Sequence, residues 1–194
     1  MSKQKSKKVN PRRIPLAKRE IDKDAILEEA TRDDLYHAWL LVFDTLLEQG
    51  QIAYDDMPDF TEAVNAYIRK PAHNDVVKKD ETRRAERLMG IPCPHANMDI
   101  SRIKSAVELE AFKQKVYRVA IHTALSVLCL GLESTGKFSE DDLRRIFFNV
   151  DLSMAEIEHG LISFTDVEKR LASYGVIIER ENEDLHHAVI CESV

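Results

Sequence analysis

His37-Ala-Trp-Leu-Leu-Val-Phe-Asp-Thr-Leu-Leu-Glu48 is the stretch on which the fold turns. Leu35, Trp39, Val42 and Leu46 fall at helical spacing in one stripe, and Tyr36, Leu40, Phe43 and Leu47 fall in the stripe beside it. Two adjoining stripes make a wide apolar face, which predicts a buried α-helix from about residue 23 to 48. Gly50 supplies its stop. A second helix is predicted from near Asp56-Met57-Pro58, where proline is tolerated in a first turn, to about Ile68 before Pro71.

The same pattern recurs further along. His122-Thr-Ala-Leu-Ser-Val-Leu-Cys-Leu-Gly-Leu-Glu133 aligns with 37–48 and shares His, Leu, Val, Leu and Glu at matching places. After a one-residue insertion, Gly50, Asp55, Asp56 and Val64 correspond to Gly136, Asp141, Asp142 and Val150. Long helix, glycine turn, Asp-Asp and second helix are thus used twice. Amphipathic helices share Leu, Val and Glu by default, so coincidence is the competing explanation. Two units are too few for a solenoid, and duplication predicts a pair of like modules sharing an apolar seam.

Helix starts are marked in the second half by Ser105-x-x-Glu108, Ser153-x-x-Glu156, Thr165-x-x-Glu168 and the near variant Ser139-x-x-Asp142. In each, a hydroxyl can accept from an unpaired helical N–H while the acid reaches back. These signals predict helices near 105–133, 140–149, 153–160 and 165–174, with Gly136, Gly160 and Gly175 past three of their ends. Asn74 to Met89, densely charged, is predicted as a short exposed helix, and Gly90-Ile-Pro-Cys-Pro-His95 as an ordered turn. Val176–Arg180 and His187–Cys191 are predicted to pair as a small β-hairpin. The chain accordingly divides into a basic arm (1–19), a first helical unit (20–70), a charged linker (71–100) and a second helical unit with an acidic tail (101–194). The fold class is mainly α.

Composition agrees with a packed body. The chain is 44% hydrophobic, with six Gly and six Pro in 194 residues, and β-branched residues do not cluster in alternating runs. Both points favour helix over sheet and argue against disorder of the whole chain. The first 20 residues lack the apolar run of a signal peptide. Val116–Leu132, the most apolar stretch, contains Arg118 and His122 and reads as a core helix, so no membrane partner is expected. Three cysteines without framework spacing fit a reducing compartment, and a cytoplasmic location is expected.

Charge is segregated. Residues 1–19 carry eight basic groups and no acid, leaving 20 basic against 34 acidic residues elsewhere, a net −14 within an overall −6. A cationic arm on an anionic body is the sharpest physical feature of the sequence.

Lys8-Val-Asn-Pro-Arg-Arg13, the Trp-bearing helix, Glu140-Asp-Asp-Leu143 and Phe164-Thr-Asp-Val-Glu-Lys169 resemble small helical accessory proteins carried by phages and prophages of Gram-positive bacteria. That resemblance spans about two thirds of the chain on short motifs. It implies a setting, action on host or phage macromolecules, and no particular activity.

Candidate partner-binding residues are Arg12, Arg13, Lys18 and Arg19 of the arm, together with Arg83, Arg84 and Arg87 of the linker. Such cations meet phosphate without sequence preference, or an acidic protein surface; a charge run is also commonly just solvated. Ile14-Pro-Leu16 can pin Arg12 and Arg13 to the body. Helices 140–149 and 153–160 offer a helix-turn-helix arrangement, but Ser153-Met-Ala-Glu-Ile-Glu-His159 has two glutamates and no Lys or Arg, which opposes phosphate contact. Cys93, His95, His187 and Cys191 supply zinc-type ligands without a Cys-x-x-Cys knuckle, so a proline turn and a core-facing Cys are the stronger reading and no cofactor is expected. His37 and His122 sit at equivalent places and are expected to face each other or make the same backbone contact. Asp55-Asp56 and Asp141-Asp142 suit helix N-termini, where acids meet the macrodipole.

No phosphate loop, nucleophile elbow, Cys–His dyad or His-Glu-x-x-His occurs, and an enzyme is not expected. The expectation is a non-enzymatic protein that binds and inhibits or regulates a nucleic-acid-handling protein through its acidic body. The alternatives are a nucleic-acid-binding regulator acting through the arm, and a structural or assembly factor. Partners are a host or phage protein, with nucleic acid and a homodimer left open.

Overall fold

The computed structural model describes residues 23–31, 33–68, 75–94, 103–180 and 189–193. In chain order these form α1 (Lys23–Thr31), α2 (Asp34–Glu48), a 3-10 turn (Tyr54–Asp56), α3 (Met57–Ile68), α4 (Asp75–Met89), α5 (Ala106–Ser134), α6 (Glu140–Glu158), α7 (Phe164–Ser173), β1 (Val176–Arg180) and β2 (Val189–Ser193). The fold is mainly α. The strands make one antiparallel hairpin, Val176 opposite Ser193 and Arg180 opposite Val189. Its second strand lies two residues beyond the predicted one. Val176 and Ile178 are buried while Ile177 is exposed, the period-two alternation of a half-covered strand.

α2 is the centre of the molecule. Every residue from Ala38 to Leu46 is buried, so the helix is covered on all sides rather than on one wide face. α5, α6 and α7 pack around it. Trp39 stacks on Phe43 at 4.6 Å between ring centroids, Phe43 meets Phe60 of α3 edge-on at 6.3 Å, and Phe60 meets Phe138 at 5.9 Å. Burial of each such side chain stabilises by about 1.5–3 kcal/mol. Asp44, also buried, is held by Arg170 of α7, whose Nη2 and Nε lie 2.6 and 3.2 Å from its two oxygens. The pair lets a carboxylate sit inside an apolar bundle. α5 then crosses α3 closely at Gly131, where a Cβ would come within 2.7 Å of Val64 Cγ1.

α5 is long and apolar enough, by length and composition, to cross a bilayer, yet 67% of its most apolar window is buried among the other elements. It is the second core helix, joined to α1 by a smaller cluster of Ile26, Phe112 and Val116. Residues before and after position 90 share one continuous core. Glycine at φ 61° (Gly50) and φ 66° (Gly136) follows α2 and α5, a left-handed conformation favouring glycine. α2 and α5 nevertheless differ in length, 15 against 29 residues, and in their neighbours.

Several predicted boundaries shift. The helix expected over 23–48 is two elements, α1 ending at Thr31 and α2 starting at Asp34; Asp33 adopts φ −116°, ψ 5° as the residue before α2. The segments expected at 140–149 and 153–160 are one continuous helix, α6. No glycine or proline intervenes, and Leu143, Ile146, Phe147, Val150 and Met154 form an unbroken buried stripe through the expected turn. The helix-turn-helix arrangement is therefore absent. Ser153 lies inside α6, and the cap of α7 is Ser163 with Asp166 rather than Thr165 with Glu168. Glu168 instead accepts from the Tyr36 hydroxyl at 2.9 Å. Ser105 and Ser139 do cap α5 and α6. The predicted linker helix is present as α4, but it is not simply exposed: Ala85, Leu88 and Met89 enter the core on one face.

Candidate interaction surfaces

An acidic face forms at the start of α3. Residues 38–68 contain no Lys, Arg or His. Asp55 and Asp56 in the 3-10 turn, Asp59 in the first turn of α3 and Glu62 one turn on are all exposed, and none forms an ion pair among the described residues. The N-terminal backbone explains the first three, because unpaired N–H groups and the macrodipole favour anions there. Glu62 lies beyond that reach. Asp141 and Asp142, the corresponding pair, differ in being occupied. Asp142 accepts from Ser139 and lies 2.8 Å from Arg145, and the Ser139 hydroxyl holds its carboxyl below the usual range. Asp141 has Arg144 at 3.5 Å.

The basic candidates are dispersed. Arg12, Arg13, Lys18 and Arg19 lie outside the described residues. On α4, Arg84 turns to Glu133 of α5, with Nη2 at 2.6 Å and Nε at 3.1 Å from one carboxylate oxygen. Arg83 stands 3.8 Å from Asp80. Arg87, one turn beyond Arg83, is exposed and has no ion pair among the described residues. Of these three arginines, Arg83 and Arg87 share one exposed face and Arg84 is paired with Glu133.

A groove of about 220 Å³ lies where the turn after α4 meets α5 and α6. Met89, Ile91, Ile121, Leu125 and Met154 give it an apolar floor, and Asp151 and the Arg118–Glu158 pair (2.5 Å) lie along it. His122 is buried behind it, with Nε2 3.3 Å from the carbonyl oxygen of Ile91 and Nδ1 3.5 Å from Ser126 Oγ. Burial lowers its pKa from 6.5 and favours neutral imidazole. The ring therefore ties the turn to α5. Cys93 donates its backbone N–H to Glu86 at 3.2 Å, and burial, aided by that carboxylate, pushes its thiol up. A thiol held protonated is a poor nucleophile. His95 and His187 lie outside the described residues, and only the backbone of Cys191 is described. Among the described residues no three His, Cys, Asp or Glu side chains gather at metal-binding distance.

His37 takes different partners from His122, contrary to the expected symmetry. Its Nδ1 lies 2.9 Å from the Tyr117 hydroxyl, and its ring stacks on Phe164 at 3.7 Å. Among the described residues, the Tyr117 hydroxyl and the Phe164 ring stand beside His37, and the Ile91 carbonyl and Ser126 stand beside His122.

One surface went unread in the sequence. Phe148 and Leu152 of α6 are 59% and 49% exposed, one turn apart on the side away from the core stripe. At 100° per residue, Ile146, Phe147 and Phe148 cannot all point inward. The third member of that apolar run was the available signal.

No protein-family model, curated protein or solved structure matches the chain.

Proposed function

We propose that the chain is a non-enzymatic accessory protein of phage type. It binds, and thereby inhibits or regulates, a nucleic-acid-handling protein through its acidic helical body. The observation carrying this reading is the exposed run Asp55, Asp56, Asp59 and Glu62 without a neutralising base among the described residues. Carboxylates fixed on a rigid turn and helix present negative charge much as a phosphate backbone does, and a basic nucleic-acid groove attracts both. The single-sign field raises encounter rates and makes them salt-dependent. Arg84 is paired with Glu133, which counts against the competing reading in which α4 joins the arm on nucleic acid.

The test is capture of partners from nuclease-treated lysate of the natural host, comparing the wild type with a variant carrying Asp55→Asn, Asp56→Asn, Asp59→Asn and Glu62→Lys. Neutral asparagines spare the N-terminus of α3 from cations. A nucleic-acid enzyme retained by the wild type, released by salt and lost from the variant is the expected result. Salt-independent retention, equal retention by both proteins, or capture that disappears with nuclease treatment overturns the reading.

A further inference from the structure

α6 has two apolar faces, and the folded chain covers one of them. The inner stripe of Leu143, Ile146, Phe147, Val150 and Met154 is buried, whereas Phe148 and Leu152 stand in solvent on the far side at 59% and 49% exposure. Spaced by four residues, they form one continuous patch. Ala155, exposed one turn past Leu152, extends it with a side chain small enough to let a second helix approach. An exposed apolar patch on a helix otherwise rich in charge marks an association surface.

The charges beside the patch point to its occupant. Arg145 lies three residues before Phe148, and Glu156 four residues after Leu152; both are exposed and fall on the same flank of the helix. Two copies of α6 laid antiparallel, with Phe148 of one against Leu152 of the other, bring Arg145 beside Glu156 of the second copy, and the reciprocal pair forms at the other end. A parallel arrangement puts this flank of the two copies on opposite sides of the interface, where Arg145 and Glu156 cannot pair. Self-complementarity under a two-fold is the requirement of an isologous interface. Arg145 already contacts Asp142 at 2.8 Å, but that exposed pair within one helix is weak and leaves the guanidinium able to bridge. At 19 residues α6 is about 28 Å long, enough for several layers of contact.

We propose that the outer face of α6 is a homodimerisation surface on which a second copy of this chain docks antiparallel through Phe148 and Leu152. The proposal does not rest on the acidic-face reading of α3. In this register one like-charge approach remains, Asp151 with its own copy on the flank nearer the groove, so removing that charge strengthens the dimer.

Sedimentation of the full chain over a concentration series tests it. The wild type is expected to dimerise reversibly. Phe148→Asp and Leu152→Asp, both at exposed positions, are each expected to weaken the dimer about tenfold or more with an unchanged helical spectrum. Arg145→Glu and Glu156→Arg are each expected to weaken it, and the double exchange to restore it. Asp151→Asn is expected to tighten it. A wild type that stays monomeric throughout, a dimer indifferent to Phe148→Asp, or a double exchange that fails to restore association overturns the proposal.

Discussion

α2 and α6 both carry apolar residues on more than one side, and the molecule treats them in opposite ways. α2 is enclosed by α5, α6 and α7, so Trp39, Leu40, Leu41, Val42 and Phe43 are all buried whichever way they point. α6 contributes one stripe to that enclosure and leaves Phe148 and Leu152 outside. Hydrophobicity on several faces therefore has two meanings. In a central helix it is core; in a peripheral one part of it is left on the surface. Position in the bundle decides between them.

The most direct way to break the contrast is to truncate one phenylalanine from each helix. Phe43→Ala is expected to destabilise by about 3–5 kcal/mol, the cost of a large cavity in a packed core. Chemical denaturation reads this as a lowered midpoint at constant slope. If that variant unfolds no more easily than the wild type, α2 is not the enclosed centre described above.

A second test addresses how completely α2 is sealed. Arg170→Ala removes the cation from Asp44 while leaving its carboxylate among apolar neighbours. A loss of about 2 kcal/mol is expected, less than for a fully buried pair because Arg170 is itself partly exposed. Asp44→Asn combined with Arg170→Gln is expected to recover part of it. Equal stability of Arg170→Ala and wild type means that water reaches Asp44.

The groove side of α6 can be compared by pH. Burial lowers the folded pKa of His122 from 6.5, so the unfolded chain binds the proton more readily. The stabilising difference is fully present above about 6.5 and is lost as pH falls through the folded value. Denaturation midpoints of the wild type should thus fall more steeply than those of His122→Gln between neutral and mildly acid pH. Parallel profiles would show that the imidazole is solvated.

The smallest expected effect sharpens the contrast from the other side. Phe148→Ala should change the stability of the isolated protomer by within about 0.5 kcal/mol, as surface substitutions do. Measured under dilute conditions, a loss comparable with that of Phe43→Ala would place the ring in an intramolecular contact.

Much of the fold was legible because it depends on local chemistry. The apolar stripes around Trp39, the Ser105 and Ser139 caps, the glycine stops and the hairpin are written within a few residues of where they act. Misreadings arose where a local pattern was satisfied twice or had no force behind it. Ser153-x-x-Glu156 has the form of a cap, but nothing before it ends α6. Ser163 and Thr165 both offer hydroxyls, and the chain uses the one farther from the helix body. In α4 the charges concealed that Ala85, Leu88 and Met89 lie at three- and four-residue spacing on one face. The Asp44–Arg170 pair spans 126 residues and left no local trace. Of the candidate surfaces, the acidic run on α3 was visible as Asp55-Asp56, whereas the outward aim of Phe148 required knowing which side of α6 meets α2.

The single tryptophan of the chain lies at the heart of that enclosure, fully buried, with no acceptor for its indole N–H among the described residues. Its fluorescence consequently comes from one dry site beside Phe43. Emission should be blue-shifted, shielded from iodide quenching, and shifted to the red as the core opens. The protein carries its own optical gauge, one that separates changes reaching the interior from changes confined to its outer faces.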